Sequence, residues 1–215
     1  DWRVGLPIFK DSDFKFNFGH RLAGEHIATG PIESLPDLES RFPQAAGNHW
    51  HQDGELQLFV DYDTRDSALT TSKGSYAKIL VENSQRAWGS EFAFQRYQLD
   101  LRHFHKHRAN DRFVTAGRFL FENLVGDTPF YLRPSLGGKY SHRAYGDGRY
   151  IAHSLITASV EERITIHKIP LAGVVTELEI APFFELGTVA GSAHRFAADT
   201  ARPAVGLPVR SPFAP

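Results

Sequence analysis

His103, His105 and His107 stand at alternate positions in HFHKH. Alternate residues of a strand share one face, and three imidazoles on one face could chelate a transition metal. A polar turn rich in histidine explains the same residues, and no carboxylate cluster is placed beside them, so no metal site is assigned. DTRD (63–66) has the acidic density of a cation loop, and equally of a turn whose aspartates bond nearby backbone. Glu161 and Glu162 could work as paired acid and base, but neighbours on a strand point to opposite faces. A phosphate-binding glycine loop, a nucleophile elbow and a zinc-binding HExxH helix are all absent from the sequence. The chain therefore reads as a non-enzyme with no cofactor. The remaining chemical oddity is Arg143. It stands in GGKYSHRAYGDGRY (137–150), which holds four glycines, three tyrosines and a histidine and has no apolar run.

The elements around that loop alternate apolar and polar residues. Phe14, Phe16 and Phe18 alternate with Lys15, Asn17 and Gly19. Leu56, Leu58, Val60 and Tyr62 oppose Glu55, Gln57, Asp61 and Asp63. Tyr97, Leu99 and Leu101 oppose Arg96, Gln98, Asp100 and Arg102. The same period of two runs through 111–125, 150–165 and 176–189, where Glu161 and Glu185 fall on the polar side. With weaker segments at 2–9, 74–84 and 203–213, about nine strands are predicted. The best helical stretch, 32–42, is interrupted by Pro36.

Bulk composition narrows the class without fixing it. The 215 residues carry 24 basic and 25 acidic side chains, so no global charge favours nucleic acid. Cysteine is absent, which removes disulfides and thiolate metal sites. Methionine is absent too, so the chain reads as a processed product or a fragment. No run of about 18 apolar residues suggests a membrane helix, but a membrane β-barrel hides its apolar residues at every second position. A soluble sandwich also alternates. Its polar face, however, meets bulk water, whereas here Arg and Asp or Glu interleave on single strands, as in a charged lumen whose members pair across strands. Most strands also reach the roughly 9 to 11 residues that span a bilayer. The expected fold is all-β, an antiparallel transmembrane β-barrel, over one domain at 1–215. About nine strands leave two open edges, so first and last strands are expected elsewhere in the protein or from another chain.

Four segments carry a family resemblance. DYDTRDSALTTSKGSY (61–76) resembles the strand-turn-strand signature of the BamA/TamA superfamily of outer-membrane assembly barrels, the bacterial surface antigen family. PFYLRPSLGGKYSHRAYGDGRY (129–150) resembles that family's long sixth extracellular loop, which carries a glycine pair and then a hydrophobic-Arg-Gly-aromatic tetrad. SVEERI (159–164) resembles the next strand's Glu-aromatic-Arg element, and FFELG (183–187) the following strand's Phe-x-Asp-x-Gly element. The order and spacing of all four agree over roughly 55–213.

The resemblance implies a portion of a sixteen-stranded barrel in the bacterial outer membrane whose sixth loop folds back into the lumen. It implies a loop-to-lumen latch of Arg143 and Tyr145 with Glu161 and Glu185, loop motif glycines Gly137 and Gly138, and strand motif residues Phe183 and Gly187. His142 and Ala144 stand where the family tetrad has an aliphatic residue and glycine, and Glu185 stands for its aspartate. The partners implied are outer-membrane lipids, unfolded outer-membrane or secreted clients, and periplasmic accessory domains or lipoproteins, with no nucleic acid. The implied function is insertion or translocation of proteins at the outer membrane. The alternatives are the membrane anchor of a fused secreted enzyme, such as a patatin-like lipase, and a soluble β-sandwich binding module.

Overall fold

The computed structural model describes residues 2–9, 12–27, 36, 38–45, 48–107, 112–171, 174–196 and 200–210. Thirteen strands are present among them. They are β1 (Trp2–Pro7), β2 (Phe14–Glu25), β3 (His51–Asp63), β4 (Gly74–Ser84), β5 (Phe94–Lys106) and β6 (Phe113–Gly126). There follow β7 (Ser135–Leu136), β8 (Tyr150–Ile151), β9 (Ser154–Leu171), β10 (Val174–Ile180), β11 (Phe183–Ala190), β12 (Arg202–Gly206) and β13 (Val209–Arg210). β7 and β8 form a small hairpin of their own inside the long connection between β6 and β9. All the others join one antiparallel sheet.

Two neighbouring positions in that sheet are broken strands. β9 pairs with β10 through its far half and with β11 through its near half, so β10 and β11 continue one line. Pro182 interrupts them because proline has no N–H to give to the ladder. β12 and β13 continue one another in the same way around Leu207 and Pro208, and the Ala181 N–H bonds the Pro208 carbonyl at 3.0 Å. The sheet is thus nine strands wide, from β1 at one edge to the β12–β13 line at the other, and among the described residues the two edges do not pair.

Its two faces invert the order of a soluble protein. On one face Val60, Ile79, Leu99, Phe121 and Ile156 lie side by side on successive strands. On the other, the row Asp63, Tyr76, Arg102, Arg118, Ser159 and Glu185 crosses the same strands. Leu58, Leu101 and Phe184 are 39%, 40% and 46% exposed, whereas Glu55, Asp100 and Glu185 are 2%, 6% and 5% exposed. Apolar side chains outward and paired charges inward are the arrangement of a wall between lipid and a polar lumen.

Several strands outrun the periodicity. β3 begins at His51, ahead of the alternating segment, and β9 continues past Ile164 to Leu171. β5 runs to Lys106, so His103 and His105 are strand residues where the sequence suggests a connection. In β9 the alternation is interrupted by a register shift, where Leu178 and Glu179 of β10 face His167 and Thr165. Of the segment 32–42, 36 and 38–42 are described, with one helical turn at Leu38–Arg41. The rest lies outside the described residues.

Candidate functional site

The connection from β6 to β9 turns into the lumen and descends along its wall. A short 3-10 turn (Phe130–Leu132) opens it, and the Leu132 carbonyl accepts from Arg96 Nη2 at 3.0 Å. Arg96 is itself held between Glu82 of β4 and Glu122 of β6. Further down, Leu136 is fully buried against Leu120 and Leu155. Arg118 Nη1 then donates to the Tyr140 carbonyl at 2.5 Å. The descent ends at Arg143, level with Glu161. Glu161 is seven residues into β9, which at roughly 3.3 Å per residue is about 23 Å along the strand from the loop end of the wall.

There the Arg143 guanidinium meets two carboxylates. Nε donates to Glu185 Oε1 at 2.6 Å and Nη1 to Glu161 Oε2 at 2.8 Å. The Arg143 backbone N–H donates to the other Glu185 oxygen at 2.8 Å. Glu161 and Glu185 lie on adjacent strands, and the planar fork of arginine can bridge both where an ammonium point charge could not. Arg163 Nε donates to Glu161 Oε1 at 2.7 Å, and its Nη1 reaches the Thr71 carbonyl at 3.2 Å. Beside this group a cavity of about 270 Å³ opens between loop and wall, lined among others by Arg102, Arg118 and Lys139. Arg102 and Arg118 face each other across β5 and β6 and both bond Asp100.

The motif residues explain one another. Phe183, Glu185 and Gly187 share the lumen face of β11. The Arg143 guanidinium sits 3.6 Å above the Phe183 ring, so it is stacked as well as ion-paired. A Cβ on Gly187 would come within 2.6 Å of Leu136 Cδ1 and 3.2 Å of His142 Cδ2, so only glycine admits the loop there. Gly137 and Gly138 have φ of 139° and 76°, a backbone reserved for glycine. They turn the chain so that the Gly138 N–H meets the Tyr145 carbonyl at 2.7 Å. The Tyr145 ring packs on His142 and Tyr150, apart from the ion pairs. His142, in the place of an aliphatic residue, is completely buried and its Nε2 bonds the Arg202 carbonyl of β12 at 2.8 Å. The loop's glycines with positive φ are Gly137, Gly138 and Gly148, so Ala144 lies outside its turn-forming glycine pair.

A family model for the Omp85 superfamily domain matches residues 2–215. The chain belongs to the Omp85 superfamily. As an Omp85 domain it is a protein of the bacterial outer membrane, which accounts for the outward apolar face. Among solved structures it is similar to BamA from Haemophilus ducreyi lacking POTRA domains 1–3, with a TM-score of 0.66 and 15% identity. That match covers 95% of this chain and 46% of the other, so the chain spans about half the length of that structure. A search of curated protein sequences finds no match.

The other chemical candidates of the Omp85 domain are used structurally. His103 bonds Ser75, and His107 bonds Thr115 and lies 3.3 Å from Glu162. Among the described residues no three His, Cys, Asp or Glu side chains are arranged to hold a metal. Asp66 caps its own turn, accepting from the N–H groups of Ser72 and Lys73 at 2.9 and 3.2 Å. Glu162 accepts from Thr115 at 2.6 Å on the face opposite to Glu161. Sequence reasoning missed Arg163 as a partner of Glu161. It also missed Tyr131, His51 and Asp53, which meet where the loop enters the lumen. Alternation along β9 carries Arg163 onto the same face as Glu161, and that was the available signal.

Proposed function

We propose that this Omp85 domain acts in insertion or translocation of proteins at the outer membrane, with its long loop latched inside the lumen by Arg143. The observation that supports this reading is the double grip of Glu161 and Glu185 on one guanidinium, deep below the loop's point of entry. A loop that only covered the barrel mouth would need no such contact. Two carboxylates on adjacent strands repel unless a cation lies between them, so the latch couples the loop to the electrostatics of the wall. The clients are unfolded outer-membrane or secreted chains, and periplasmic accessory domains or lipoproteins deliver them.

The test uses the complete protein in cells and in lipid vesicles. Arg143→Ala should still give a folded barrel, seen as heat-modifiable gel migration, while protease cuts the loop and insertion of client barrels slows. Unchanged client insertion with a demonstrably freed loop would remove the latch from the function. If instead only a passenger fused to the same chain failed to reach the surface, the domain would be a membrane anchor for that passenger.

A further inference from the structure

A second group of loop contacts lies at the lumen mouth, far above Arg143, and the function proposed above does not use it. The Tyr131 hydroxyl lies between His51 Nε2 and Asp53 Oδ2, the latter at 2.6 Å. His51 Nδ1 is 2.6 Å from the His49 carbonyl oxygen. His51 and Asp53 are alternate residues of β3, so both face inward, and both are completely buried. The Phe92 ring packs edge-on against His51 at 5.0 Å and closes the site from the side.

Hydrogen-bond counting constrains this cluster. A carbonyl oxygen only accepts, so the proton between His51 and His49 belongs to Nδ1. If His51 is neutral, Nε2 is an acceptor and Tyr131 donates to it. The contact between the Tyr131 oxygen and Asp53 Oδ2 then needs a proton from Asp53. If Tyr131 donates to Asp53 instead, Nε2 must carry a proton of its own. Either way the three contacts need one proton more than a neutral imidazole, a phenol and a carboxylate supply. Burial, and then the bond to Asp53, push the Tyr131 phenol above its ordinary range, so the phenol keeps its hydrogen. Asp53 Oδ1 has no hydrogen-bond partner among the described residues. A buried oxygen without a donor is costly, so the cluster holds only while its remaining contacts are all matched. Among the described residues, Arg21 and Glu25 of β2 act on the Tyr131 hydroxyl, Glu55 follows two residues along β3, and the His49 ring stands 6.3 Å from that of His51. Arg21 is already paired with both Glu25 and Glu55.

We propose that Tyr131, His51 and Asp53 form a second anchor for the loop, a positioning clamp closed by one shared proton and independent of Arg143. It fixes where the loop enters the lumen, and it does not depend on what the barrel transports.

The chain has no cysteine, so single cysteines report cleanly. Thr128→Cys replaces a completely buried residue at the loop base. Leu69→Cys, at a residue 95% exposed on a different connection, normalises thiol reactivity. In the complete protein in lipid vesicles, Tyr131→Phe should raise maleimide labelling at Thr128→Cys about tenfold, the effect of a lost buried hydrogen bond. Asp53→Ala should do the same. Asp53→Asn should keep the base closed, because an amide can donate to the Tyr131 oxygen or accept from it and so completes the contacts without an added proton. Protease protection of the Arg143 region should be the same in all of them. Each barrel is checked by heat-modifiable migration. Should Asp53→Ala fail to fold, the near-isosteric pair Tyr131→Phe and Asp53→Asn carries the comparison alone. Parent-level labelling in Tyr131→Phe, or Asp53→Asn labelling as fast as Tyr131→Phe, would overturn the clamp. Neither result would bear on the Arg143 latch, whose test reads client insertion.

Discussion

At the loop tip, a guanidinium with 20% of its side chain still exposed faces two carboxylates, and every contact is charge-assisted. At the loop base, a phenol, an imidazole and an acid meet where His51 and Asp53 have no exposure at all. The tip stands where water can replace a broken ion pair, so it can open and re-form. The base offers no such replacement and holds only while every donor has an acceptor. One loop is thus held reversibly at its depth and more rigidly at its entrance, and the difference follows from solvent access more than from bond number.

The largest expected effect separates the two ends directly. Arg143→Ala removes both ion pairs and the stacking on Phe183 together, leaving Glu161 to Arg163 and Glu185 to a backbone N–H alone. Protease should then cut near Tyr140 while Thr128→Cys stays unreactive, and labelling at both places would show that tip and base are one unit. Gly187→Val comes next. It pushes branched carbons into Leu136 and His142 without touching a charge, and should displace the tip at a cost of up to about 3 kcal/mol, read as loss of the same protection. If protection survives, the loop does not need the space that glycine leaves. Tyr131→Phe is smaller, the roughly tenfold change that corresponds to about 1.4 kcal/mol, and should open the base alone.

The smallest effect belongs to the 64–73 turn outside the membrane, where hydrogen bonds from Ser72 hold the Asp66 carboxyl down at about 2. Its folded value lies below the unfolded one, so its contribution is complete above about 4 and is lost as pH falls through about 2. Amide exchange at Ser72 and Lys73 should rise over that window, and not in Asp66→Asn. Equal exchange in both would show that the carboxylate does not order the turn.

Much of the wall was legible because lipid imposes one rule on every strand. Leu56, Leu99 and Ile156 show the outward face by period alone, and the same parity places Glu161 and Glu185 inward. Breaks and ends were not legible. Pro182 is visible in the sequence, but Ile180 and Phe184 keep their alternation across it, so two strands read as one. His51 and Asp53 belong to a polar strand start, HQDG, with no apolar partner residues to mark it. Tyr131 lies 80 residues from His51 along the chain, and nothing local signals that pairing. The periodic rule reports which way a side chain points, and it is silent on which distant loop arrives to meet it.

Glu161 accepts from Arg143 through one oxygen and from Arg163 through the other. Arg163 also holds the Thr71 carbonyl, in the turn at the opposite end of the wall from the loop's entry. Segments entering from the two faces of the membrane therefore finish on a single side chain, like two stays tied to one cleat. Slackening either stay changes what the other pulls against. Whatever dislodges the tip leaves Arg163 facing a more negative neighbour, so the far rim experiences the event as a change of electric field, with no strand having moved.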